Sequence, residues 1–276
     1  MTIEIVVPVY NAYDAFVECL QSLQKHNAHS RVIFINDAST DERIAEILRH
    51  VETDNWIVVT NQVNLGFVKT ANIGLRRTTG PTVLLNSDTV VTNGWLQRML
   101  DCLQQQKAIG TITPWSNNAE ICSFPENLQY NQEPEKPDVL AGFLYQYHRP
   151  EYPHLPTAVG FCMLVSAEAK KQVGFFDEEQ FGMGYGEEND YSLRVTAAGL
   201  HNVLCDNAYV IHKGNQSFQE LKLAPSEETM RRLLDKHPDY QRLIEIFIQQ
   251  NPLADLRTRL IEQLKKHKPE LYRVLI

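Results

Sequence analysis

Thr82-Val-Leu-Leu-Asn-Ser-Asp88-Thr-Val-Val-Thr92 is the stretch on which the fold turns. An apolar, β-branched run enters Asn86-Ser87-Asp88 and then resumes, the pattern of a buried strand whose polar edge carries one carboxylate. In that place Asp88 can hold a metal, or it can close a turn or cap the helix that begins near Asn93. The stretch alone leaves both readings open.

Upstream, residues 3–9 form a short β-branched run closed by Pro8 and followed by Tyr10-Asn11, a strand that breaks into a loop. Phe16, Cys19, Leu20 and Leu23 recur at spacings of three and four, the apolar stripe of a helix lying on a sheet. Residues 31–36 predict a second strand ending at Asp37, and Ser39 with Glu42 has the spacing of a capping box that starts a helix at Thr40. Residues 56–60 and 82–85 add strands, residues 66–75 open a helix, and Trp95, Met99 and Leu103 mark another. This β-α-β-α rhythm implies a parallel sheet covered by helices on both faces. Ligands of such sheets bind beyond the carboxyl ends of the strands, where Tyr10, Asn11, Asp37 and Asp88 converge. Asn64-Leu-Gly66-Phe and Asn72-Ile-Gly74 suit a phosphate approaching free N–H groups at a helix start, and they suit turn and packing glycines equally well. Their spacing is neither GxGxxG nor GxxxxGK[ST], against a dinucleotide site or a P-loop.

Downstream, residues 109–113 predict a strand, after which residues 114–156 are rich in Asn, Pro, Tyr and Glu without periodicity, as in a substrate loop or a surface excursion. Residues 158–166 restore a strand and residues 167–173 a short helix. The second acidic stretch, Gly182-Met-Gly-Tyr-Gly-Glu187-Glu188-Asn-Asp190, sets three alternate glycines before a helix with three acids in its first turn. Those acids complement the helix dipole or do chemistry, and three of them are more than a dipole needs. Residues 203–204 and 208–211 predict final strands ending at His212, a metal ligand or a hydrogen-bonded surface residue. Beyond residue 226 come three helical stripes separated by Pro238 and Pro252. Residues 257–276 hold six Lys or Arg against two Glu, a basic amphipathic tail that fits an anionic membrane surface, self-association or simple packing.

A chain of 276 residues suits one large α/β domain with an appendage, or two small domains. Its net charge of −8 excludes a general nucleic-acid binder, which needs a basic surface to displace counterions. Five cysteines (Cys19, Cys102, Cys122, Cys162, Cys205) without CxxC spacing predict reduced, buried thiols in a reducing compartment. A start without a basic leader, and the lack of any run of about 18 apolar residues, predict a cytoplasmic protein, soluble or peripheral at the inner face of the membrane.

The order of motifs resembles the family 2 glycosyltransferases over residues 3–218. It is carried by Val7-Pro8-Val9-Tyr10-Asn11, Asn36-Asp37-Ala-Ser-Thr-Asp41, Asn64-Leu-Gly66-Phe with Asn72-Ile-Gly74, and Leu85-Asn86-Ser87-Asp88. Gly174-Phe-Phe-Asp177, Glu187-Glu188-Asn189-Asp190 with Leu193-Arg194, and His212 complete it. The resemblance implies the α/β GT-A fold, with a Rossmann-like, mostly parallel central sheet and helices on both faces. Residues 1–222 are then the transferase domain, 1–113 its nucleotide-sugar half and 114–222 its acceptor and catalytic half, with 223–276 a helical C-terminal extension. Pro8, Tyr10 and Asn11 are implied to line the base pocket, Asp37 to bind the nucleoside and Asn72 to lie near the ribose and diphosphate. Asn64, Gly66, Asn86 and Ser87 belong to the same donor site.

Asp88 falls on the last acid of the family's DxD motif, whose carboxylate holds Mn²⁺ or Mg²⁺ against the diphosphate. Because Asn86 lacks a carboxylate, diphosphate oxygens, waters and His212 are left to complete that site. Glu188 falls where the family has the general-base Asp, with Glu187 and Asp190 as alternatives. The activity implied is metal-dependent, inverting transfer of a hexose or deoxyhexose from a UDP-, dTDP- or GDP-linked donor. The acceptor is a hydroxyl of a glycan or lipid-linked glycan, in cell-surface polysaccharide synthesis. The rivals are a catalytically silent sugar-nucleotide or glycan-binding module and a sugar-phosphate nucleotidyltransferase. The loop after Val9 lacks the glycine- and arginine-rich phosphate loop of the latter.

Overall fold

The computed structural model describes residues 2–214 and 227–275. The expected boundary between residues 222 and 223, and Phe218 at the end of the resemblance, lie outside the described residues. Strands β1 (Glu4–Val9), β2 (Val32–Asn36), β3 (Trp56–Thr60) and β4 (Thr82–Leu85) run parallel in the order β3-β2-β1-β4. Beside β4, strand β8 (Cys162–Val165) runs antiparallel. Next come β6 (Ile109–Trp115) and β9 (His201–His212), which regain the first direction. Strands β5 (Thr89–Val91) and β7 (His154–Leu155) pair antiparallel with β9. The sheet is therefore mostly parallel, as expected.

Alternation along the strands sorts the core into two layers. Ile5, Val7, Val9, Val32 and Phe34 face one, covered by α1 (Tyr13–Asn27), α2 (Glu42–Val51), α4 (Trp95–Gln105) and α5 (Pro137–Tyr147). Val6, Ile33 and Ile35 face the other, covered by α3 (Phe67–Arg76), α6 (Ala167–Val173), α7 (Glu178–Phe181) and α8 (Glu187–Ala197). A Cβ at Gly74 would meet Val6 Cγ1 at 2.1 Å, so α3 lies this close to β1 because residue 74 is glycine.

Several elements differ from the sequence reading. The capping box at Ser39 is absent: α2 starts at Glu42, capped by Asp41, whose carboxylate accepts from Arg43 N–H. Ser39 Oγ instead accepts from Asn11 N–H. Within the aperiodic residues 114–156 lies α5, begun by Pro137 in its first turn. Residues 139–145 are apolar almost throughout, so this helix offers no polar face against which a stripe would show. The two expected final strands are one, β9, with a register shift opposite Pro114 and Trp115. The seam expected at residues 113/114 falls inside β6, and β8 from the second half sits between β4 and β6, so both halves share one sheet.

The C-terminal region forms α9 (Glu227–Lys236), α10 (Tyr240–Gln250), α11 (Ala254–His267) and α12 (Pro269–Leu275). Leu256, Leu260, Leu264, Leu271 and Leu275 join the first core layer. Buried Arg257 donates to the carbonyls of Ile121 and Ser123. The last two helices thus pack onto the sheet domain, whereas α10 buries none of its residues and exposes Leu243, Ile246 and Ile248. No described helix is long and apolar enough to cross a membrane.

Candidate active site

β1, β2 and β4 end at one edge of the sheet, and the loops that follow them line a cleft of about 540 Å³. Pro8, Tyr10, Asp37, Asn64, Gly66, Asn86, Ser87 and Asp88 all face it, together with Phe67, Thr70 and Met183. Asp37 shapes this cleft. Its Oδ1 accepts from Asn61 Nδ2 and Leu65 N–H at 2.8 Å each, and its Oδ2 accepts from Gly66 N–H at 2.9 Å. Gly66 has φ +82, and a Cβ there would lie 2.8 Å from Met183 Sδ and 2.9 Å from Met183 Cα, so only glycine fits. Phe67 N–H donates to the Met183 carbonyl, tying the helix start to the glycine-rich turn at residues 182–186.

Two residues expected at the donor serve the scaffold instead. Asn11 does not line the cleft; its Oδ1 accepts from Thr40 and Asp41 N–H and pins the loop before α2. Asn72 is fully buried on the flank of α3, bonded both ways to the Phe176 backbone and donating to Glu178 Oε1.

The pairing of β5 with β9 sets Thr89 opposite His212, which brings the neighbouring Asp88 to His212. His212 Nδ1 donates to the Asn118 carbonyl at 2.7 Å, leaving Nε2 with its lone pair. That Nε2 is buried, has no hydrogen-bond partner among the described residues, and lies 3.6 Å from Asp88 Oδ1. Phe161 stacks on the ring. An oriented imidazole with an orphaned acceptor beside a carboxylate fits a divalent cation. Among the described residues no cluster of three or more His, Cys, Asp or Glu side chains forms, so Asp88 and His212 stand there as a pair.

A second cleft, about 840 Å³, meets the first at Phe67 and Asn86. It is lined by Asn118, Glu120, Gly160, Phe161, Tyr185, Glu187, Glu188 and His212. Burial, and then the charge of Glu120, pushes the Glu188 carboxyl up to about 7. Burial also holds Glu187 well above the usual carboxylate range, and its Oε2 has no partner among the described residues. Asp190 points the other way. It is fully buried and accepts from Arg194, Lys236 and His237, so the structure removes it from the candidate bases.

The sequence profile described as glycosyl transferase family 2 matches residues 4–174, from β1 through α6. The chain belongs to glycosyl transferase family 2. An uncharacterized glycosyltransferase of Rickettsia conorii is 22% identical to this family 2 chain over 272 residues, covering 90% of the chain and 44% of that relative. The chain spans less than half the length of the curated relatives it matches. GalNAc-T7, crystallised with UDP, GalNAc and Mn²⁺, superposes with a TM-score of 0.61 at 12% identity, covering 100% of this chain and 58% of that one. A mannosyltransferase of Pyrobaculum calidifontis in complex with GDP-Man and Mn²⁺ gives 0.53 at 15%, covering 98% and 81%. At such identities the likeness shows the fold of this family 2 chain, which is GT-A.

Reading the sequence missed Phe67, Thr70 and Met183 in the first cleft and Asn118, Glu120, Phe161 and Tyr185 in the second. Met183 and Tyr185 stood inside the glycine-rich stretch, whose alternating glycines could have flagged them. Asn118 and Glu120 lie in the aperiodic region, where no spacing marked them.

Proposed function

We propose that this family 2 chain is a metal-dependent, inverting glycosyltransferase that moves a hexose or deoxyhexose from a UDP-, dTDP- or GDP-linked donor to a hydroxyl of a glycan or lipid-linked glycan. The observation that carries this reading is the junction of the two clefts at Phe67 and Asn86, with Asp88 in the first cleft, Glu188 in the second, and His212, also in the second, 3.6 Å from Asp88. The nucleotide occupies the first cleft, with its base against Pro8, Tyr10 and Asp37. Asp88 and His212 would hold a divalent cation, Mn²⁺ or Mg²⁺, which when bound would supply Lewis-acid neutralisation of the leaving diphosphate. Glu188 takes the proton of the acceptor hydroxyl as its oxygen bonds to the anomeric carbon and the bond to the diphosphate breaks. One displacement from the face opposite the leaving group inverts that carbon. A carboxyl near 7 suits this task, since a base poised near working pH combines availability with driving force. Work on cell-surface polysaccharide, at the cytoplasmic face of the membrane, is part of the same proposal.

Thermal unfolding in Mn²⁺ against UDP-, dTDP- and GDP-linked sugars tests it. One nucleotide class should raise the Tm only with the ion present, because a ligand at about a hundred times its Kd adds about 2.7 kcal/mol to the folded state. Asp88→Ala should abolish the ion-dependent part of that shift. No shift with any donor in either ion sinks the reading.

A further inference from the structure

The C-terminal helices reach the base through Asp190. Its Oδ2 takes Arg194 Nε at 2.9 Å, one turn along the same helix, and its Oδ1 takes Lys236 Nζ at 2.7 Å and His237 Nε2 at 2.8 Å from the end of α9. Lys236 also bridges to Asp177 Oδ2 at 2.8 Å, the residue that caps α7. Arg232 Nη1 donates to the Gln180 carbonyl in the same short helix. Leu233 is buried in the second core layer with Phe181, and a Cβ at Gly186 would lie 4.0 Å from its Cδ2. Every one of these contacts lands on α7, on Gly186 before α8, or on the first turn of α8. Glu188 sits in that turn, two residues before Asp190.

We propose that Lys236 and His237 are positioning residues for the base: seated on Asp190, they fix the first turn of α8 and hold Glu188 towards the second cleft. The proposal rests on Glu188 being the base. The physical reason lies in the loop before the helix. Gly182, Gly184, Tyr185 and Gly186 all have positive φ, and none of the side chains at the three glycines exists to brace the turn. The first turn of a helix also lacks intrahelical acceptors for its N–H groups, so it frays first unless it is held from outside. Asp190 is the side chain in that turn that is fully buried and ion-paired from another element, and its two partners from outside α8 are adjacent in sequence.

Amide hydrogen exchange and steady-state kinetics of the full chain test this together. The Lys236→Met/His237→Gln double variant should exchange at least tenfold faster over residues 186–194 while the strand amides keep their protection. With the nucleotide sugar that most raises the wild-type Tm, its kcat should fall at least tenfold and the donor KM stay within twofold. Lys236→Arg, which keeps the cation, should restore most of the kcat lost in Lys236→Met. Arg242→Ala, which breaks the exposed Arg242–Asp239 pair in the same region, should behave as wild type. Unchanged exchange over 186–194 overturns the proposal whatever the activity. Faster exchange with kcat within twofold overturns it too, as does a fall in donor affinity that matches the fall in kcat. A wild-type protein that turns over no nucleotide sugar defeats the transferase reading instead, and the exchange measurement still decides whether the clamp exists.

Discussion

Glu188 carries the sharpest residue-scale prediction. Glu188→Gln should keep nucleotide binding and lower kcat by about 10²–10⁴, the usual worth of a positioned base. The pH dependence follows from the raised carboxyl. The base works ionised, so kcat/KM should fall tenfold per pH unit below about 7 and level off above it. Folding stability moves the opposite way. A carboxyl raised in the folded state contributes stability that is present below about pH 4.5 and is lost as pH rises through about 7. Replacing it by the neutral amide should therefore raise the Tm at pH 8, where the buried charge is removed, and leave it unchanged near pH 4. A flat rate profile between pH 5 and 8 would remove Glu188 from the role. Residue identity drew attention to Asp88, Glu188 and His212 because each stands at the end of a strand or the start of a helix. It misled at Asn72 and Asp190, which sit in equally good motifs. Their partners, Phe176 and Glu178 for one and Lys236 and His237 for the other, are far away along the chain, and no local pattern records them.

At the scale of elements, the four parallel strands and the helices between them could be read because each strand is a short β-branched run, buried on both faces in β1, β2 and β4, and each helix shows one polar side. Helix α5 could not, because its exposed side carries Val139 and Tyr145, so no polar face set off the buried stripe. The start of α2 was also misassigned. Asp41 supplies the cap that the sequence pattern gave to Ser39, whose hydroxyl instead accepts from Asn11 N–H, twenty-eight residues away. In the proposed reaction the loop before α3 forms a wall of the donor cleft, and Gly66→Ala tests it. The substitution forces a side chain into φ +82 and into the Met183 backbone, which must shift. Strain of this kind costs about 1–3 kcal/mol. The same shift disturbs the Phe67 N–H bond to Met183 and the wall of the first cleft. Nucleotide affinity should fall at least tenfold by calorimetry, with a lower Tm. Wild-type affinity in a folded Gly66→Ala protein would show that the loop is only a connection.

For the whole molecule, the basic tail divides its charges between packing and solvent. Of the six positive side chains in residues 257–276, which fit an anionic surface, self-association or packing, Arg257 is buried under the carbonyls of Ile121 and Ser123 and Arg259 pairs with Glu151, while Lys265, Lys266 and Arg273 stay exposed. Charge counted along the sequence does not say which face of a helix carries it. The leucines between those charges do more for the fold. Leu256, Leu260, Leu264, Leu271 and Leu275 are each less than a tenth exposed and belong to the same core layer as Trp95 and Trp115. At about 1.5–3 kcal/mol for each buried side chain, together they contribute about 8–15 kcal/mol. That is as much as the whole net stability of an ordinary domain, about 5–15 kcal/mol. Truncation after residue 226 should therefore leave a protein that is insoluble or melts without cooperativity, rather than a donor-binding domain freed of an appendage. A cooperative melt of the 1–226 fragment within a few degrees of the full chain would show that the sheet folds without these helices. The clamp on Asp190 could then be studied by adding α9 back in trans.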